Sequence, residues 1–134
     1  QGEDAFNASL PAKNFAEEPL ERGIREQLGI AARNGVVIVN AYYETESQRE
    51  QVLDLSEIPG RFNDKVYVRA VNASNGGTVY FNYEQQVDSH PFVVVYGASR
   101  SYSSQPVETS NPDRIANEVC SAVGSISRFP SECV

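Results

Sequence analysis

The sequence has no methionine and no tryptophan, and it carries one histidine and two cysteines among 134 residues. Lys13 and Lys65 are its only lysines. No apolar run approaches the ~20 residues of a membrane span, so no spanning helix is expected. No glycine-rich phosphate loop is present, since Gly76-Gly77 is followed by neither Lys-Ser nor a helix-cap pattern, and there is no nucleophile elbow or zinc-ligand spacing. These absences argue against nucleotide, hydrolase and zinc chemistry: no catalytic residue, no cofactor and no metal-ligand set is expected. His90 with neighbouring carboxylates is the one group suited to general-base or metal chemistry, and its spacing matches no known ligand pattern. The missing methionine points to a processed product or an excised domain, and Gln1-Gly2 reads as a remnant of processing or of a tag.

The residues that are present describe an ordinary globular chain, 40% hydrophobic and 22% charged, of a size that suits one domain with a real core. Eighteen acidic against eleven basic residues give a net charge of -7, which repels phosphate backbones, so nucleic acid is not an expected partner. Cys120 and Cys133 are the only pair available for a bridge, and closing a loop of that size is worth roughly 3 kcal/mol in the chain-entropy model. Asn7 and Asn72 each open an Asn-Ala-Ser sequon, the acceptor for N-glycosylation in a secreted chain. Taken with the missing methionine, the cysteine pair and the sequons predict an extracytoplasmic, disulfide-bonded glycoprotein.

Patterning divides the chain into an N-terminal arm with an edge strand (1–13), a core (14–123) and a tail (124–134) stapled by Cys120-Cys133. Ala5 to Leu10 alternates loosely and ends at Pro11, as an edge strand or extended arm would. Phe15, Leu20, Ile24, Leu28 and Ala31 keep helical spacing behind Asn14 as N-cap, so the periodicity predicts an amphipathic helix over Asn14–Arg33, kinked or broken at Pro19. Asn34-Gly35 stops it, and Val36 to Tyr43 is apolar and β-branched enough for a central strand. Glu44 to Ser47 begins a second helix that buries Val52, Leu53, Leu55 and Ile58 and ends or bends at Pro59-Gly60. Lys65 to Val71 alternates as a third strand and Asn75-Gly76-Gly77 turns; in Thr78 to Asp88, Val79, Phe81 and Tyr83 alternate like a strand while Tyr80, Tyr83, Glu84 and Val87 keep the helical spacing that favours a short helix from about Tyr80. Val87 to Gly97 then organises the rest: a polar run reaches His90-Pro91 and passes at once into Phe92–Tyr96, a strand apolar on both faces, with Pro91 at its first position because proline donates nothing to a ladder. The Ser-rich stretch from Ser99 to Val107 suits an edge strand. Asn111-Pro112, an N-cap followed by proline at the first helical position, opens a last helix through Ile115, Val119 and Val123.

Strands alternating with helices make an α/β sandwich. From about Ala5 to Val123 the order resembles the thioredoxin fold. Val36 to Tyr43 resembles that family's central strand, Asn63 to Val68 the opening of its next strand, and Val87 to Tyr96 its segment containing a cis-proline, with Pro91 at the proline position. The resemblance implies a three-layer sandwich with a central mixed sheet of four or five strands and about four flanking helices. The departures are equally informative. Glu46-Ser47-Gln48-Arg49 stands where the family carries Cys-x-x-Cys, and Asn40 stands at the family's buried acid. Without a thiolate there is no disulfide exchange at that place, so a redox-inactive member is expected.

In active relatives the surface beside the cis-proline binds extended peptide. The resemblance therefore places His90 and Pro91 opposite the start of the second helix, with Glu44, Glu46 and Arg49 nearby, as a binding surface. A surface histidine before a structural proline is the plainer alternative. Tyr42, Tyr43, Tyr80, Phe81 and Tyr83 are expected as half-buried packing rather than an exposed patch. The expected function is a non-catalytic secreted module that binds a protein partner or self-associates. One alternative is a structural subunit of an extracellular polymer whose N-terminal arm adds a strand to a neighbour. Another is a thiol oxidoreductase using Cys120 and Cys133, although Cys120 falls late in a helix and Cys133 in a tail.

Overall fold

The computed structural model describes residues 15–97, 105–108 and 110–123. Its elements are β1 (Phe15–Glu18), α1 (Ile24–Asn34), β2 (Val37–Tyr43), α2 (Glu46–Leu53), a 3-10 turn (Asp54–Glu57), α3 (Ile58–Arg61), β3 (Val66–Asn72), α4 (Thr78–Glu84), β4 (Phe92–Tyr96) and α5 (Pro112–Val123). The sheet order is β1-β3-β2-β4. β1, β3 and β2 run parallel, and β4 lies antiparallel to β2 with Asn40 opposite Val94. This is the expected mixed sheet.

Alternation along the strands sorts the core into two layers. One holds Val37, Val39, Ala41, Val66, Val68, Ala70, Val93 and Val95 against Val52, Leu55, Ile58 and Phe62 and against Ile115 and Val119 of α5. The other holds Ile38, Tyr42, Val71, Phe92, Val94 and Tyr96 against Ile30 and Ala31 of α1 and Tyr80 and Tyr83 of α4. Every residue of β2 and β4 is buried, as expected for strands covered on both faces.

The main departure is at the N-terminal end. The helix expected over Asn14–Arg33 is replaced by β1, a turn and α1, so Phe15 to Glu18 pair with Val68 to Val71 as a parallel edge strand. Two local rules outweigh the helical spacing. Proline disfavours helical backbone at the residue before it, which makes Glu18 extended, and Gly23 then takes an extended conformation as the N-cap of α1. Leu20 and Ile24, expected on a buried helical face, are 62% and 38% exposed. The edge strand sought in Ala5–Leu10 and the N-cap role of Asn14 lie outside the described residues.

The expected stop at Asn34-Gly35 is in place. Gly35 closes α1 in the left-handed region at φ 62° and returns its N–H to the Ala31 carbonyl. Pro59 does not end the second helical run; it sits early in α3, after the 3-10 turn has redirected the chain. Of the edge strand expected over Ser99–Val107, residues 105–107 are described, and among them Val107 alone makes a two-way backbone bridge, to Val93. Asn111 caps α5 through its side-chain oxygen, which accepts from the Asp113 and Arg114 N–H groups. The His90-Pro91 peptide is cis.

Candidate functional site

The site forms at one end of the sheet, on the face covered by α1 and α4. Glu44 follows β2 directly, where the cap of α2 fixes the backbone. Thr45 Oγ1 accepts from the Gln48 N–H at 3.2 Å, and Gln48 Oε1 accepts from the Glu44 N–H at 2.7 Å. Tyr80 and Glu84 stand one turn apart on α4, a pattern that puts both on one side of the helix. His90 is delivered by the chain entering β4.

These four side chains form one chain of polar contacts. The Tyr80 hydroxyl donates to Glu44 Oε2 and also lies 3.1 Å from Glu84 Oε2, which is 3.1 Å from His90 Nε2. A phenol has a single proton, so it serves one carboxylate at a time. Burial, and then the two carboxylates, hold the Tyr80 phenol well above its ordinary pKa. The Tyr80 ring stacks on Phe92 at 5.5 Å and 12°, and the His90 ring meets Phe92 edge-on at 5.6 Å. Tyr42 tilts against both Tyr80 and Phe92. The polar tips thus stand at the rim of an aromatic floor.

The amino end of α4 depends on a residue remote in sequence. Gly77, its N-cap, has no side chain, and the Glu21 carboxylate accepts instead from the Val79 and Tyr80 N–H groups at 2.9 and 2.7 Å. The turn after β1 therefore orients Tyr80.

Glu46 and Arg49, expected beside His90, belong to a different network. Arg49 grips Glu17 of β1 through two hydrogen bonds of 2.7 and 2.8 Å and reaches Glu46 at 3.1 Å. Arg49 holds the Glu17 carboxyl below its usual range, while burial, with Glu17 alongside, raises the Tyr43 phenol. Tyr43 faces the first core layer and Tyr42 the second, so alternation in β2 separates the two clusters. Of the expected surface residues, His90, Pro91 and Glu44 come together; Glu46 and Arg49 tie β1 to α2. Tyr80 and Glu84 were missed as site residues. Their i, i+4 spacing on α4 was the available signal.

The remaining candidates sit as follows. Tyr42, Tyr43, Tyr80 and Tyr83 are buried packing, whereas Phe81 is 52% exposed. Asn40 is fully buried, with Nδ2 3.4 Å from the Tyr42 hydroxyl. Cys120 is half-buried on α5 against the first core layer, and its expected partner Cys133 lies outside the described residues. Asn72 ends β3 with Oδ1 accepting from the Ser74 N–H and hydroxyl at 2.9 and 2.6 Å, and Asn7 lies outside the described residues. Among the described residues no helix is long and apolar enough to cross a membrane.

No protein-family model matches the sequence, and no curated protein matches it. Solved structures do. Thioredoxin from Schistosoma mansoni superposes with a TM-score of 0.59 at 7% identity, over 83% of this chain and 97% of that one. Thioredoxin O2 from Arabidopsis thaliana in its oxidized state gives 0.54 at 13% identity, over 77% and 89%. A poplar thioredoxin h mutant gives 0.55 at 10% identity, over 92% and 91%. The chain has a thioredoxin-like fold.

Proposed function

We propose that this thioredoxin-like chain is a redox-inactive binding module that takes an extended segment of a protein partner beside the cis His90-Pro91 peptide. One observation carries the reading. The turn where the fold's exchange chemistry would sit is built from Glu46-Ser47-Gln48-Arg49, locked by the Thr45 and Gln48 cap and by the Arg49–Glu17 pair, and it holds no thiol. A thiolate is the nucleophile of disulfide exchange, and its absence leaves the binding face without the chemistry. Cys120, on the α5 side of the core, packs against apolar residues, which suits a structural bridge to Cys133 in an extracytoplasmic protein.

Two measurements test this. In a disulfide-reduction assay with a generic protein substrate, the chain gives no turnover above buffer; turnover abolished by Cys120→Ser would replace the reading with an oxidoreductase. In a peptide-library selection on the full chain, enriched sequences lose binding when Ser89→Arg or His90→Arg fills the face. Enriched sequences indifferent to both changes would move the binding surface elsewhere.

A further inference from the structure

Beyond peptide binding, the geometry points to a divalent transition-metal site at the rim, with Glu44, Glu84 and His90 as ligands to zinc or a zinc-like ion. We infer it from three observations. First, one imidazole nitrogen and two carboxylate oxygens, contributed from three separate parts of the chain, lie within 4.8 Å of one another. Ligand atoms bound tetrahedrally at the usual zinc distances sit about 3.4 Å apart, so small rotations of these side chains bring all three to one ion. The 3.1 Å contact of His90 Nε2 with Glu84 Oε2 is already near that spacing.

Second, the charge of the cluster is uncompensated. Among the described residues neither Glu44 nor Glu84 is ion-paired to a lysine or arginine; Glu84 has only the imidazole. Both carboxylates instead crowd one phenol that can give a proton to only one of them. A cation between them removes that conflict, and Tyr80 then serves as the hydrogen-bond partner that orients a ligating carboxylate, as outer partners do in metal sites.

Third, the groups are braced. Tyr80 is 2% exposed and stacked on Phe92, His90 abuts the same ring, and Glu44 follows a strand and precedes a capped helix. The mixed nitrogen and oxygen set favours zinc, copper or nickel over magnesium or calcium, which prefer all-oxygen shells, and three protein ligands leave a position for water or a partner's side chain. Sequence spacing conceals the set, because the ligands stand 40 and 6 residues apart by number.

The test uses the full chain. Because His90 is the only histidine, its ring signals in NMR report this site alone. Zinc ion, titrated by calorimetry and followed by those signals, is expected to bind with one-to-one stoichiometry and to shift the His90 ring, with magnesium doing neither. His90→Asn and Glu84→Gln are each expected to weaken binding about tenfold or more. Glu46→Gln is expected to leave it unchanged, and circular dichroism confirms folding of each variant. The inference fails if zinc does not bind below about 1 mM, if His90→Asn binds as tightly as the parent, or if magnesium competes equally, which would mark diffuse attraction to an acidic surface.

Discussion

Gly77 carries more of the site than its size indicates. Its φ of 142° lies outside the range L side chains adopt, and a Cβ there would fall 2.4 Å from the Glu21 carboxyl carbon. Gly77→Ala therefore both strains the backbone and displaces the carboxylate that caps α4. Urea unfolding should show a loss of about 2 kcal/mol, and a neutral result would mean that the cap is dispensable. Arg69 poses the opposite problem. It is fully buried in β3, 3.7 Å from Glu18 and 5.6 Å from the centre of the Tyr67 ring, and burial pulls its guanidinium down to about 9. Removing a carboxylate beside a buried ion takes away part of its compensation, whereas replacing the ion itself by an apolar residue is often close to neutral. Glu18→Gln, which takes a carboxylate from Arg22 as well as from Arg69, is accordingly expected to cost about 3 kcal/mol and Arg69→Met less than about 1 kcal/mol; the reverse order in urea melts would refute this account.

At the scale of elements, the bond between β1 and α2 is a single bidentate pair. Arg49 lowers the Glu17 pKa, so the sign follows directly: the folded state holds its proton less tightly than the unfolded state. The pair's stabilisation is full above the ordinary carboxyl pKa of 4.5 and is lost as pH falls through the depressed folded value. Both partners are partly exposed, so solvent screening keeps the effect small. Glu17→Gln should be modestly destabilised at pH 7, with the gap to the parent closing as pH falls through the depressed folded value, and a gap that does not change with pH would show that the pair acts through packing instead. β1 also marks where the sequence stopped being legible. Val36 to Tyr43 and Phe92 to Tyr96 announced themselves because burial on both faces demands near-continuous apolar runs, and Lys65 to Val71 through its alternation. Phe15 to Glu18 is a four-residue edge with two glutamates, too short for alternation to show, and its spacing to Ile24 and Ala31 imitated a helix. The site was half legible for a related reason. Pro91 and His90 stood out through the proline step, but Tyr80 and Glu84 converge on Glu44 only through tertiary packing of α4 that no local pattern encodes.

For the whole molecule the open question is whether its sheet edges invite a second copy. At the β4 edge, Val107 bridges Val93. The β1 edge is four residues long, carries Glu17 and Glu18 and runs into Pro19, the features by which edge strands resist pairing with another chain. A net charge of -7 adds mutual repulsion between copies at neutral pH. A protein built this way should scatter light as a monomer whose mass does not change with concentration, and deleting residues 1–11 should leave that mass unchanged apart from the lost residues. Glu17→Val with Pro19→Val strips the edge of both defences and should produce concentration-dependent association that increases with salt, as screening removes the charge barrier. Large assemblies in the unmodified chain that vanish when residues 1–11 are removed would instead show that the arm, rather than the cis-proline face, is the binding element, and the molecule would then be a self-assembling subunit.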